Sequence, residues 1–258
     1  MLETLMKPDA PPLVKTRTAR ALGRAVEMAM EHGAIVTAEG PVGIGKSTAL
    51  RLEAERLEAE GHRVALVTAT QDNGGRTKEI YNAAVIRLRG YCCTGNREAR
   101  ETFIEALTAH GAPQDGARGV LLVDEAQNLR PQVLNGLRGA HDENAHGEAN
   151  FGIVLCGNPH FVDRYGRGRN NSFAQLESRI LHRFQLHAPS EDELRMKVAA
   201  LGGAIEDDAR DALLAYAFDR GSFRALEQVY RKARGLAGEQ AITLRQIRAS
   251  IQGKERPL

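Results

Sequence analysis

AIVTAEGPVGIGKST, residues 34–48, runs from an apolar stretch through a glycine-rich turn into a helical pattern. Gly40, Pro41, Val42, Gly43, Ile44, Gly45, Lys46 and Ser47 match G-x-x-x-x-G-K-[ST] at every fixed position. The flanks give the match its weight. Ala34–Ala38 reads as a buried strand, and Leu50, Leu52, Ala54 and Leu57 recur inside a helical run over 47–60. A phosphate-binding loop requires that setting. Glycine at Gly40 and Gly45 lets backbone N–H groups curl around a phosphate, Lys46 reaches the β- and γ-phosphates, and the Ser47 hydroxyl holds Mg2+. Gly40 through Thr48 are therefore the predicted binding residues for ATP.

Outward from the loop, apolar runs recur at Val64–Thr68, Val120–Val123, Phe151–Leu155 and Phe184–Leu186. Helical patterns at 77–89, 97–110, 131–140 and 173–182 separate them. This alternation predicts an α/β fold, a parallel sheet flanked by helices. Before the loop, Ala19, Leu22, Val26 and Ala29 place an amphipathic helix over Lys15–His32, ended by Gly33. From Pro189 onward no strand candidate remains. Glu191–Leu201, Asp207–Phe218, Phe223–Leu236 and Leu244–Ile251 all read as helices. The expected organisation is an extended, proline-bearing arm over residues 1–14, a nucleotide-binding core over 15–188 and a helical lid over 189–258.

The 258 residues are 42% hydrophobic and 26% charged, enough for a folded chain with a sizeable core. A net charge of +2 names no partner, so polyanion binding has to come from local clustering. Three cysteines, two of them the adjacent Cys92 and Cys93, offer neither a disulfide framework nor metal spacing, and a reducing cytoplasm is expected. No apolar stretch approaches the roughly 20 residues of a membrane span, and the first residues lack a signal-peptide core. A secreted or membrane-embedded protein is not expected.

Hydrolysis needs carboxylates at the tip of a buried strand, and GVLLVDE, residues 119–125, supplies them. Asp124 is placed to hold Mg2+ through water, and Glu125 to orient and deprotonate the attacking water. The strand Val64–Thr68 falls between the two motifs in the chain. That spacing points to the class whose sheet inserts a strand between phosphate loop and acidic strand. FGIVLCGN, residues 151–158, is a further buried strand that delivers Asn158 at its tip, where an amide reaches between γ-phosphate and water. In QLESRILHRF, residues 175–184, Arg179 and Arg183 lie four apart on a predicted helical face leading into the last strand. A guanidinium inserted into a neighbour's site neutralises transition-state charge; Arg183 is the first candidate and Arg179 the second. Arg224, in GSFR at the start of a lid helix, is placed to reach back to the γ-phosphate.

These elements, in this order, resemble the AAA+ P-loop NTPases. GIVLCGNPHFVDRYGRGRNNSFAQLESRILHRF, residues 152–184, narrows the resemblance to AAA+ ATPases of the phage Mu transposition protein B and TnsC type. The likeness extends over about residues 14–251, through LLVDEAQNL and GSFRALEQVYRKA. It implies an ATP-dependent protein that polymerises as helical filaments on duplex DNA and attracts transposase to the target. Hydrolysis would be stimulated by DNA and transposase. The phage protein carries an N-terminal helix-turn-helix domain, whereas about 14 proline-rich residues precede the core here, so DNA contacts are expected from the core itself.

Local charge agrees with a DNA role. Residues 163–183 carry Arg164, Arg167, Arg169, Arg179 and Arg183 against Asp163 and Glu177, threaded with glycine and asparagine. The glycine-rich segment 72–78 brings Arg76, Thr77 and Lys78 to a position that, by the resemblance, faces the channel of the assembly. Arg97 and Arg100 follow on the next helix. Such groups give sequence-tolerant, salt-sensitive backbone contacts, and no base-reading module is visible. A protein-remodelling or helicase-loading ATPase stands as the alternative function. HDENAHGE, residues 141–148, reads as a solvated polar connection rather than a metal cluster, and Cys156 as core packing.

Overall fold

The computed structural model describes residues 16–108, 117–144, 151–166 and 175–255. Proximity of the backbone in space divides the chain into two compact units: Thr18–Pro41 with Lys46–Leu186, and Arg17 with Val42–Gly45 and His187 onward.

The larger unit is built on five parallel strands: β1 (Ile35–Glu39), β2 (Arg63–Thr68), β3 (Gly119–Asp124), β4 (Gly152–Gly157) and β5 (Ile180–Gln185). Their spatial order is β2-β3-β4-β1-β5. Every residue of β1, β3 and β4 is buried, which is why these strands read as unbroken apolar runs instead of alternating ones. The helices are α1 (Arg17–His32), α2 (Lys46–Ala59), α3 (Thr77–Arg89), α4 (Asn96–Thr108), α5 (Pro131–Asn144) and the short α6 (Phe161–Gly166). A 3-10 turn, Ala126–Asn128, follows β3 directly. Tyr81 stacks on Phe103 with centroids 4.7 Å apart, and Phe103 meets Phe151 edge-on at 5.5 Å, so α3 and α4 seal against the start of β4.

The inserted strand between the phosphate-loop strand and the acidic strand is present, but its identity differs from the order along the chain. β4 lies between β1 and β3, and Val64–Thr68 belongs to the edge strand β2. A second correction concerns residues 173–182. Helical turns end at Glu177, and Ile180 already pairs with Ile35. The edge position explains the misreading. β5 bonds to β1 alone and leaves Leu181, His182 and Gln185 exposed, so its pattern lacks the apolar run of a buried strand. A third correction is that His141–Asn144 extends α5. His141 is buried, with Nε2 2.7 Å from the carbonyl of Gly33 and its ring edge-on to Phe151. His146 and Glu148 lie outside the described residues.

The smaller unit contains α7 (Glu191–Ala199), α8 (Asp207–Asp219), α9 (Phe223–Ala237) and α10 (Leu244–Glu255). Its core gathers Leu194, Leu213, Leu226, Val229, Ile242 and Ile247. A capping box opens α7. The Ser190 side chain accepts the Glu193 N–H, and the Glu193 carboxylate accepts the Ser190 N–H at 2.8 Å. Burial alone would raise the Glu193 carboxyl, but the N–H donors of Arg17 and Ser190 and the Arg17 guanidinium hold it below its ordinary range. No helix among the described residues is long and apolar enough to cross a membrane.

Candidate functional site

The site grows from the C-terminal ends of the parallel strands, where open α/β sheets collect ligands. β1 ends at Glu39 and passes to Gly40, whose N–H donates to the carbonyl of Gly157 at 3.1 Å. Lys46 begins α2. Its ammonium is buried and donates to the carbonyls of Gly40 and Pro41, each at 2.7 Å. Ser47 and Thr48 are exposed in the first turn of α2, so a hydroxyl pair stands at the positive end of a 14-residue helix.

In the other unit, Gly43 and Gly45 take φ of 82° and 92°, a region closed to most side chains. Gly43 falls at a variable position of the motif, yet it is doubly required: a Cβ there would collide with Ser222 Oγ. Its carbonyl accepts the Arg224 N–H at 3.2 Å. Val42 is exposed and Ile44 fully buried. Val42, Tyr216, Arg220, Ser222, Arg224 and Gln228 line an open cavity of about 390 Å³. Arg220, stacked over Tyr216 at 5.5 Å, adds a second guanidinium that sequence reading missed, because nothing in a solvated helix end marks it.

Back on the sheet, Asp124 closes β3, buried, and one carboxylate oxygen accepts the Glu125 N–H at 2.9 Å. Glu125 itself has φ of 55°, one of two non-glycine residues in the left-handed region among the described residues. Backbone held in that region by a surrounding network is a mark of functional positions. The Glu125 carboxylate accepts a short hydrogen bond from the Gln127 side-chain amide, and Gln127 Oε1 accepts the backbone N–H of Asn158 at 3.1 Å. Asn158 thus sits where expected, one residue past β4. The other left-handed residue, His160, donates its N–H to the buried carboxylate of Glu39 at 2.8 Å. Burial, with Asp124 as a second cause, pushes the Cys156 thiol far up, so it packs as a neutral group.

Arg179 and Arg183 do not share a helical face. Arg179 lies in the turn before β5, half exposed, and pairs with Asp142 at 2.9 Å. Arg183 lies inside β5, clasped by Asp163 at 3.1 Å and Glu177 at 2.7 Å. Arg76 is exposed at the N-cap of α3, and Lys78 Nζ donates to the Thr94 carbonyl at 2.5 Å. Arg97 extends into solvent beside Glu101. Two of the predicted DNA-contacting residues have other duties. Thr77 packs against Gly136, and Arg100 is tied to Glu143 and to the Gly139 carbonyl at 3.2 Å. Arg164 lies on α6, and Arg167 falls outside the described residues.

A glycine loop opening onto a helix, with paired carboxylates at the tip of β3 and β4 inserted beside them, defines a P-loop nucleotide-binding domain. The chain belongs to the AAA domain family, whose profile matches residues 29–165. It is 25% identical over 224 residues to the Mu-like prophage FluMu DNA transposition protein B of Haemophilus influenzae, covering 86% of this chain and 72% of that protein. The ATP-dependent target DNA activator B of Escherichia phage Mu is 24% identical over 216 residues, 77% of this chain and 64% of its own length. Among solved structures, the ORC2 protein of Aeropyrum pernix, in its ADPNP–ADP complexes, superposes with a TM-score of 0.71. At 21% identity, with 96% of this chain and 70% of that one covered, it shows a shared fold.

Proposed function

We propose that this AAA+ protein hydrolyses ATP, coats duplex DNA with little sequence preference as a filament, and directs transposase to target DNA in the cytoplasm. The observation that carries the reading is its alignment, across the nucleotide-binding core, with two proteins named for transposition and target DNA activation. In this reading residues 1–14 form an arm, 15–188 the core and 189–258 the lid.

The residues present suit a magnesium triphosphate. Ser47 and Asp124 offer hard oxygen donors of the kind Mg2+ takes, and the ion would neutralise charge on the phosphate oxygens. Lys46 exchanges its two carbonyl partners for phosphate oxygens. Glu125 takes a proton from the water that attacks the γ-phosphorus. The bond from that phosphorus to the β–γ bridging oxygen breaks, and ADP and phosphate leave. Asn158 orients the same water. For the arginine lent by a neighbour, the geometry favours Arg179. Its single exposed ion pair costs about 1 kcal/mol or less to give up, whereas Arg183 would leave two carboxylates. Arg224, bonded through its N–H to Gly43, senses nucleotide for the lid. DNA contact falls to Arg76, Lys78 and Arg97, joined by Arg164 and Arg167.

Sedimentation with random-sequence duplex DNA tests the reading. The protein should pellet with DNA in ATP and remain in solution without it, and Lys46→Ala should lose both nucleotide binding and coating. Reversing the charges of Arg76 and Lys78 should lower the slope of log affinity against log salt by about two. An ATP-independent or absent coat would leave a protein-remodelling ATPase as the better description.

A further inference from the structure

Glu39 is a buried carboxylate that the hydrolytic scheme does not use, and it closes β1 directly before the phosphate loop. Its backbone is fixed on both sides. Glu39 lies opposite Gly157 of β4 and Gln185 of β5, and its carbonyl accepts the Leu186 N–H at 2.6 Å. From that place the side chain reaches past the end of β4, where Oε2 accepts the His160 N–H at 2.8 Å. A carboxylate withdrawn from water needs such a donor.

The donor belongs to a turn in an unfavourable conformation. Asn158, Pro159, His160 and Phe161 close it, with the Asn158 carbonyl accepting the Phe161 N–H at 3.3 Å. Proline suits the second position of a turn, and positive φ at the third ordinarily calls for glycine. Here the third residue is His160, at φ of 59°. The turn's own hydrogen bond leaves the His160 N–H to Glu39, and a charge-assisted bond at that point holds the left-handed backbone that a side chain disfavours. On the other side there is no slack: Phe161 is buried, and a Cβ at Gly157 would lie 2.8 Å from its ring. The Gly40 N–H, bonded to the Gly157 carbonyl at 3.1 Å, ties the first residue of the phosphate loop to the residue before Asn158. Asn158 is thus bracketed, with Gly40 gripping the residue before it and Glu39 the second residue after it.

We infer that Glu39 is a positioning residue that fixes Asn158 against the phosphate loop by holding the turn Asn158–Phe161 through the His160 N–H. The inference rests on the reading of Asn158 as the amide that orients the attacking water. Orientation of that kind depends on sub-ångström placement, which a turn able to relax to another φ does not provide.

Steady-state ATP hydrolysis by the full chain tests it. Glu39→Ala removes the acceptor, and Glu39→Asp keeps the charge but withdraws it by one methylene. Each should lower kcat about tenfold or more, as small misplacements at a reacting centre do, with the KM for ATP unchanged. Glu39→Gln keeps an acceptor oxygen and should recover most of the loss. Glycine takes positive φ freely, so adding His160→Gly to Glu39→Ala should also restore kcat. Asn158→Ala should be slow, and adding Glu39→Ala to it should slow it no further. A merely structural Glu39 would move thermal stability and not this pattern. Parental kcat in a folded Glu39→Asp or Glu39→Ala protein, or a loss that His160→Gly does not restore, would overturn the inference. Asn158→Ala separates the two levels. If that variant turns over like the parent, the assignment of Asn158 fails; if it is slow while the Glu39 variants behave like the parent, the positioning role alone fails.

Discussion

His141 shows how one buried side chain makes folding sensitive to pH. A carbonyl can only accept, so Nε2, 2.7 Å from the Gly33 oxygen, carries the proton of a neutral ring. Burial lowers the His141 pKa, outweighing the opposite pull of that hydrogen bond and of Asp142. The unfolded chain has the ordinary histidine value near 6.5. Below it the unfolded state binds the proton that the folded state resists, so this contribution is whole above about pH 6.5 and drains away as pH falls toward the lowered folded value. His141→Gln keeps a donor and does not titrate. Urea midpoints at pH 7.5 and 5.5 should therefore drop further for the parent than for the variant, and equal drops would mean the ring is charged when folded. At the same scale Glu125→Gln should bind ATP and lose about a hundredfold or more in kcat, the usual worth of a positioned base.

At the scale of elements, the α3–α4 hairpin depends on an amide that imitates a strand. Asn82 Oδ1 accepts the Cys93 N–H at 2.9 Å and Nδ2 donates to the Cys93 carbonyl at 3.0 Å, all of it buried. Asn82→Ala leaves two buried backbone groups unpaired and should cost about 2 kcal/mol in a denaturation curve, with Asp partly rescuing through the retained acceptor. Nothing along the chain marks Asn82, since its partner is eleven residues away across a loop. That contrast explains what sequence could reveal. The phosphate loop and the Asp124–Glu125 pair are legible because their chemistry is fixed by adjacent residues, and β1, β3 and β4 because burial on both faces leaves a continuous apolar run. Gln127, Glu39 and His160 acquire meaning only when β4 lies between β1 and β3. The first residues of β5 were hidden for a related reason, since an exposed edge strand bearing Arg183 satisfies helical spacing as well as strand spacing.

At the scale of the whole molecule, the arginine assignment makes a claim about neighbours that a single chain cannot satisfy. If each site takes Glu125 from one protomer and Arg179 from the next, the contact is head-to-tail, and repeating it builds a ring or a filament. Glu125→Gln and Arg179→Ala should then each be slow alone, the first for want of a base and the second for want of the guanidinium. Mixed in equal amounts on DNA, about one site in four pairs an intact Glu125 with an intact neighbouring Arg179, and hydrolysis should rise well above the sum of the separate preparations. A guanidinium acting within its own chain allows no such rise, because no protomer in the mixture carries both groups. Replacing Arg179→Ala by Arg183→Ala in the same mixture decides between the two residues: the one whose loss is complemented is lent across the contact. Arg183 should not be complemented, because its removal frees Asp163 and Glu177 within its own protomer and the damage stays there.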